Sequence, residues 1–145
     1  MEFTNLVRQT IYTQTVATGH VPTIADIAVH LGLREDVVRA ACRTLADAHV
    51  VIFRRDGREL WAAPPFSAVP SAFRVRAGSR SWFAPCAWDA FGIPAASKAD
   101  VNIDASCAWT GETLPAGVRG KKAYGHGVIH LVVPARHFWD DIIYT

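Results

Sequence analysis

Residues 34–62 read REDVVRAACRTLADAHVVIFRRDGRELWA, and the period of their apolar positions changes halfway along. Val37, Val38, Ala41, Leu45 and Ala48 recur every three or four residues, the spacing of one face of a helix opened by Arg34-Glu35-Asp36 and running to about His49. Two β-like runs follow, Val50-Val51-Ile52-Phe53-Arg54 and Arg58-Glu59-Leu60-Trp61-Ala62, joined through Asp56-Gly57, a strong hairpin signal. A helix that runs straight into a hairpin makes the chain α+β.

Upstream, Phe3, Leu6, Val7, Thr10, Ile11 and Gln14 mark an amphipathic helix over roughly Glu2–Ala17, stopped before Gly19. Pro22-Thr23 opens a second helix with Ile24, Ile27, Ala28 and Leu31 inward, and Gly32-Leu33 is a tight turn into the third. Residues 1–62 are therefore expected to form a winged helix-turn-helix unit. Arg34, Arg39 and Arg43 on its third helix, with Arg54, Arg55 and Arg58 in the wing, suggest a DNA-binding surface. Charge speaks against it, because seven arginines over these residues meet seven acidic side chains. Net zero is a poor footprint for phosphate, and a packing or dimerisation role fits better.

Downstream, the proline-rich stretch 62–70 is too hydrophobic for a floppy linker and marks the start of a second unit, 63–145. Phe73 and Val75 alternate with Arg74 and Arg76 in a half-exposed strand, Ala72–Ala77. Residues 82–94, WFAPCAWDAFGIP, then read as a short helix, with Pro85 suited to the first turn and Gly92 with Pro94 as a stop signal. Cys86 and Asp89, three residues apart, would share a face of it. A cysteine in the first turn faces free N–H groups and the positive end of the helix dipole, which favour thiolate. On spacing alone the alternative is an inert packed cysteine among Trp82, Phe83, Trp88 and Phe91. Val101–Cys107 alternates as another strand closed by a Thr110-Gly111 turn, and Leu114–Lys122 reads as exposed. Gly127–Val133 is a β-branched run expected as a central buried strand stopped by Pro134. Arg136–Asp141 is a short turn, and Ile142–Thr145 begins one more strand.

The chain has 145 residues, half of them apolar, and a net charge of +2, enough for a buried core and too weak a field to attract nucleic acid or an acidic membrane. No apolar run approaches a membrane span and no secretory leader opens the sequence, which points to a cytoplasmic protein. Cys42, Cys86 and Cys107 are expected as free thiols. His126, His130 and His137 lack a cysteine or acid at zinc spacing, and no Gly-rich phosphate loop or Ser-His-Asp ordering stands out.

The run 82–95, followed in order by Ser106-Cys107-Ala108-Trp109-Thr110-Gly111-Glu112 and His130-Leu131-Val132-Val133-Pro134, resembles the active-site blocks of the alkylmercury lyases over about residues 64–145. That resemblance implies an enzyme that protonolyses the carbon–mercury bond of organomercurials, giving hydrocarbon and Hg²⁺. It implies Cys86 as the thiolate ligand and Asp89 as proton donor and oxygen ligand, with no resident cofactor and external thiols as acceptors. A mercuric reductase is the implied Hg²⁺ acceptor. Lyases of this family also carry a helix-turn-helix-like unit ahead of the catalytic region. They have a further catalytic cysteine just after the segment that Phe138–Thr145 resembles, so the sequence reads as truncated. Three readings stay open: a piece of a lyase, a pseudoenzyme, or a protein in which Cys107 supplies the second soft ligand, although the matching family cysteine is mainly structural. The alternative class is a noncatalytic mercury- or soft-metal-binding protein, or a winged-helix transcriptional regulator.

Overall fold

The computed structural model describes residues 2–145. Val7, Thr10, Ile11 and Thr15 form the buried face of helix α1 (Glu2–Thr18). Helix α2 (Ile24–Leu31) is bounded by local chemistry at both ends: Thr23 and Asp26 cap each other reciprocally, and Gly32 takes the left-handed conformation (φ 65°) that a side chain disfavours. Helix α3 (Glu35–Asp47) buries Val38, Ala41, Cys42 and Leu45. A short hairpin follows, β1 (Ile52–Phe53) against β2 (Leu60–Ala63), its turn held by Asp56 Oδ1 accepting from the Arg58 N–H at 2.9 Å. No helix among the described residues is long and apolar enough to cross a membrane.

The remaining strands are β3 (Phe66–Ser67), β4 (Phe73–Ala77), β5 (Arg80–Ala84), β6 (Val101–Asp104), β7 (Ala116–Arg119) and β8 (Lys122–Gly125), with helix α4 (Ala87–Ser97) between β5 and β6. They join the hairpin in one antiparallel sheet of order β1-β2-β3-β5-β4-β6-β7-β8, an α+β architecture. The proline-rich stretch forms the corner between β2 and β3, where Ala63 pairs with Phe66. Alternation sets the two faces. Val75, Val101 and Ile103 point into the core with Trp82 and Ile93, whereas Arg76 and Asp104 pair across the exposed face at 2.6 Å. Val7, Ile27 and Leu45 of the helices belong to the same core cluster.

Three local expectations fail. Gly127–Val133 is not a strand, and Val128 is 93% exposed. The sheet ends at β8, where Gly125 (φ 137°) and Gly127 (φ 108°) turn the chain away, and β4 and β5 hold the central positions. Ile142–Thr145 forms a turn after a 3₁₀ segment, Ala135–Asp140, because this end docks on the end of α3 and the hairpin turn: Trp139 stacks on His49 with ring centroids 3.8 Å apart, and Asp141 pairs with Arg55 at 2.9 Å. Leu114–Lys122, expected as exposed loop, contains β7. Gly117 hides the pattern, and its missing side chain is required, since a Cβ there would run into the Val101 carbonyl and lie 2.6 Å from the Tyr124 hydroxyl.

The helices are fastened to the sheet through Trp82. Its indole, 1% exposed, donates to the Thr15 carbonyl at 2.8 Å and sits 6.2 Å from the Phe66 ring, which meets Tyr12 at 6.4 Å. Trp82→Phe removes the donor and part of the ring volume, so urea unfolding should show a loss of about 2 kcal/mol. An unchanged midpoint would contradict this account of the junction.

Candidate active site

Strand β5 delivers the chain at Ala84, and Pro85 lies just before the helix rather than in its first turn. Cys86 is the N-cap of α4, extended (φ −148°, ψ 175°), with its sulfur accepting from the Asp89 N–H at 3.5 Å. A cap position, one residue earlier than expected, still points the side chain back over the first turn. Gly92 and Pro94 do not stop the helix, which continues to Ser97 and ends at Lys98 in the left-handed conformation. Pro94 forfeits one backbone bond, but it is buried, as is Ile93 of the core. Gly92 fits against Pro65, whose Cβ would stand 3.1 Å from any Cβ placed there.

The pair expected on one face is together. The Cys86 thiol donates to Asp89 Oδ2 at 3.4 Å, and both side chains are half-buried. Burial pushes the Cys86 thiol above its ordinary range, outweighing the Asp89 N–H that favours thiolate, and the Asp89 charge adds to the rise. The thiolate expected from the helix end is thus reversed by burial in the resting site. Burial also raises Asp89, against the pull of the Cys86 hydrogen bond. The result is a protonated thiol bonded to a carboxyl group of raised proton affinity. A soft cation that takes the sulfur must displace that proton, and the nearest base is Asp89.

Cys107 lies in the turn after β6, where its N–H donates to Glu112 O at 2.8 Å, and bonds from Thr110 and Trp109 pull its thiol below the ordinary range. Among the described residues no three Cys, His, Asp or Glu side chains converge on a common point, so Cys107 forms no metal cluster with Cys86 and Asp89. Cys42 is buried in α3, its thiol raised to about 11 by burial, as suits packing. His126 and His130 lie in the irregular stretch beyond β8, and His137 bonds Asp140 at 2.8 Å. Trp88 is exposed rather than core, beside the pair. A cavity of about 850 Å³ lies along the far half of α4, between Phe91, Pro94 and Lys98 on one side and Val118, Lys121 and Ala123 on the other, and is not lined by Cys86 or Asp89.

Tyr12 of α1, not among the site residues expected from sequence, reaches this region. Its hydroxyl donates to the Pro64 carbonyl at 2.9 Å, at the corner on which α4 rests, and it feels the Asp89 charge. Its place beside Ile11 in the first helix carried no chemical signal.

The chain is similar to a solved structure described as the mercury-bound form of MerB2, with a TM-score of 0.63 and 26% identity, over 83% of this chain and 58% of that one. It thus spans little more than half the length of that protein. No match is found among curated proteins. The model of one family, described as alkylmercury lyase and designated MerB, matches residues 66–145, more than half of the chain and all of the thiol–carboxylate helix, and the chain therefore belongs to the alkylmercury lyase family.

Proposed function

We propose that the chain captures organomercurials at Cys86 and protonates the departing carbon from Asp89. The observation that carries this reading is the 3.4 Å thiol–carboxylate hydrogen bond at the start of α4. Mercury prefers sulfur to oxygen. On capture, Cys86 forms the S–Hg bond to R–Hg⁺ and its proton passes to Asp89. The raised proton affinity of Asp89 suits it to hold that proton until the next step. The proton then moves to carbon, the electron pair of the C–Hg bond goes with the carbon, and R–H leaves. Hg²⁺ stays between the sulfur and the regenerated carboxylate until external thiols or a mercuric reductase remove it. A second sulfur, from an external thiol, would push electron density toward carbon and ease the cleavage.

The three helices and hairpin are read as a winged helix-turn-helix that packs rather than binds DNA. Four of the six arginines on its third helix and wing have partners within the protein: Arg34 with Asp36 at 2.6 Å, Arg39 with the Arg58 carbonyl, Arg43 with the Gly57 carbonyl and the Phe53 ring, and Arg55 with Asp141. The Arg39, Arg43 and Arg55 bonds fasten α3 and the C-terminal turn to the wing.

The test is incubation with a phenylmercury salt and excess small-molecule thiol, with benzene measured in the headspace. Benzene above the thiol-only control is expected. Mercury bound at Cys86 without benzene would leave a noncatalytic mercury-binding protein.

A further inference from the structure

We infer that the exposed face of the sheet is a binding platform for single-stranded nucleic acid, built by Arg74, Arg76, Arg119 and Lys122 around the Tyr124 ring. The platform uses none of the Cys86–Asp89 chemistry. Val75, Val101 and Ile103 turn one face of the sheet to the core, to which all four helices contribute. Arg74 and Arg76 alternate with Val75 along β4 and so stand on the opposite face, which is exposed there. Register carries that face across the sheet: Arg76 opposes Asn102, Asn102 opposes Gly117, and Gly117 opposes Tyr124, with Arg119 and Lys122 partners one step along.

Four cations on these strands meet one carboxylate, Asp104, an excess of three charges in a chain whose whole net charge is +2. Asp100, just ahead of β6, is taken up by the Gly120 N–H at 3.0 Å. Among the described residues only Arg76 of the four has a carboxylate partner, Asp104 at 2.6 Å. Arg74 donates to the Ser81 hydroxyl at 3.1 Å and Arg119 to Asn102 Oδ1 at 3.4 Å, so their charges stand uncompensated. Spread evenly, +2 would attract no polyanion; gathered on one face, the excess makes a basic footprint.

The Tyr124 ring lies down on this face. A Cβ at Gly117 would stand 2.8 Å from its Cε1, and its hydroxyl reaches across β7 to donate to Asn102 Oδ1 at 2.6 Å. The Arg119 guanidinium is 5.2 Å from the ring centre. Ring and guanidinium thus offer planar surfaces on which an unpaired base can stack, and the arginines beside them offer paired donors to phosphate. Residues two apart on a strand repeat about every 6.6 Å, so Arg74 and Arg76 follow an extended backbone. A duplex keeps its bases stacked inside, and an acidic peptide gains nothing from the ring, which favours the single strand.

The experiment is fluorescence anisotropy of a fluorescein-labelled oligothymidylate of about twelve nucleotides, a length within known single-strand sites, titrated with the intact chain at several salt concentrations. Saturable binding is expected at roughly 50 mM salt, with log K falling against log salt at a slope of about −2, the value for three phosphate contacts. Arg74→Glu combined with Arg119→Glu should weaken binding by about tenfold or more. Tyr124→Leu should weaken it by about fivefold or more, while Tyr124→Phe, which keeps the ring, should bind within about twofold of wild type. Arg74→Gln and Arg119→Gln, at exposed positions without ion pairs, should each lower the slope by about 0.7, a reading that stands even if Tyr124→Leu melts below the assay temperature. The inference is overturned by no binding at roughly 50 mM salt, by tighter binding of a duplex of the same length, by equal competition from polyglutamate, or by an equal loss in Arg34→Gln at the third helix. The assay needs no mercury, so absence of benzene release would count against the lyase reading and leave this result standing.

Discussion

Cys86→Ser should lose organomercurial binding by on the order of 100-fold or more while keeping its fold. The substitution is informative because, under the proposed function, Cys86 has two roles at one atom. As N-cap it accepts from the Asp89 N–H, and serine does that better than cysteine. As a ligand it offers soft sulfur, for which a hydroxyl is no replacement. The melting temperature of Cys86→Ser should therefore equal or exceed that of the wild type, whereas Cys86→Ala should lose the cap and about 1 kcal/mol. Equilibrium dialysis of a phenylmercury salt against the two variants, with thermal melts alongside, separates the roles. If mercury binding survived in Cys86→Ser, the site would lie elsewhere.

Asp89→Asn should retain the mercury adduct, lose hydrocarbon release by about 100-fold or more, and melt at a higher temperature near neutral pH. The last expectation follows from the direction of the shift. Burial raises the Asp89 carboxyl above its unfolded value, so the native state favours the protonated form. Its stabilising contribution is full below the unfolded carboxyl range and lost as pH rises through the folded value, leaving a half-buried charge at pH 7. Asparagine carries no charge to bury. The advantage of the variant should shrink as pH falls toward the carboxyl range. A variant less stable than wild type at pH 7 would mean that the bond from Cys86 outweighs the burial of the charge.

The parts of the fold legible in sequence were those with local punctuation. Thr23 with Asp26, Gly32, and Asp56-Gly57 mark ends and turns through bonds within a few residues, and the helices and hairpin fall where those signals stand. Cys86 and Asp89 were legible for the same reason: residues three apart at one helical turn must meet. Longer-range effects overrode local rules elsewhere. Gly92 and Pro94 read as a stop, yet packing against Pro65 and burial of Ile93 carry the helix on to Ser97. The apolar run 127–133 looked central because periodicity cannot show that the sheet has already ended. The electrostatic state of Cys86 was misread in the same way, since the helix end is visible in sequence and the burial that outweighs it is not. Tyr12 reaches its Pro64 partner across 52 residues, a separation that no motif records.

The central claim is that the Cys86 sulfur, backed by Asp89, is the atom that takes mercury. Peptide mapping by mass spectrometry after one equivalent of a phenylmercury salt tests it most directly. The account predicts the phenylmercury mass on the peptide carrying Cys86 and its disappearance from that peptide in Cys86→Ser; an adduct confined to Cys107, with Cys86 unmodified in the wild type, would contradict it.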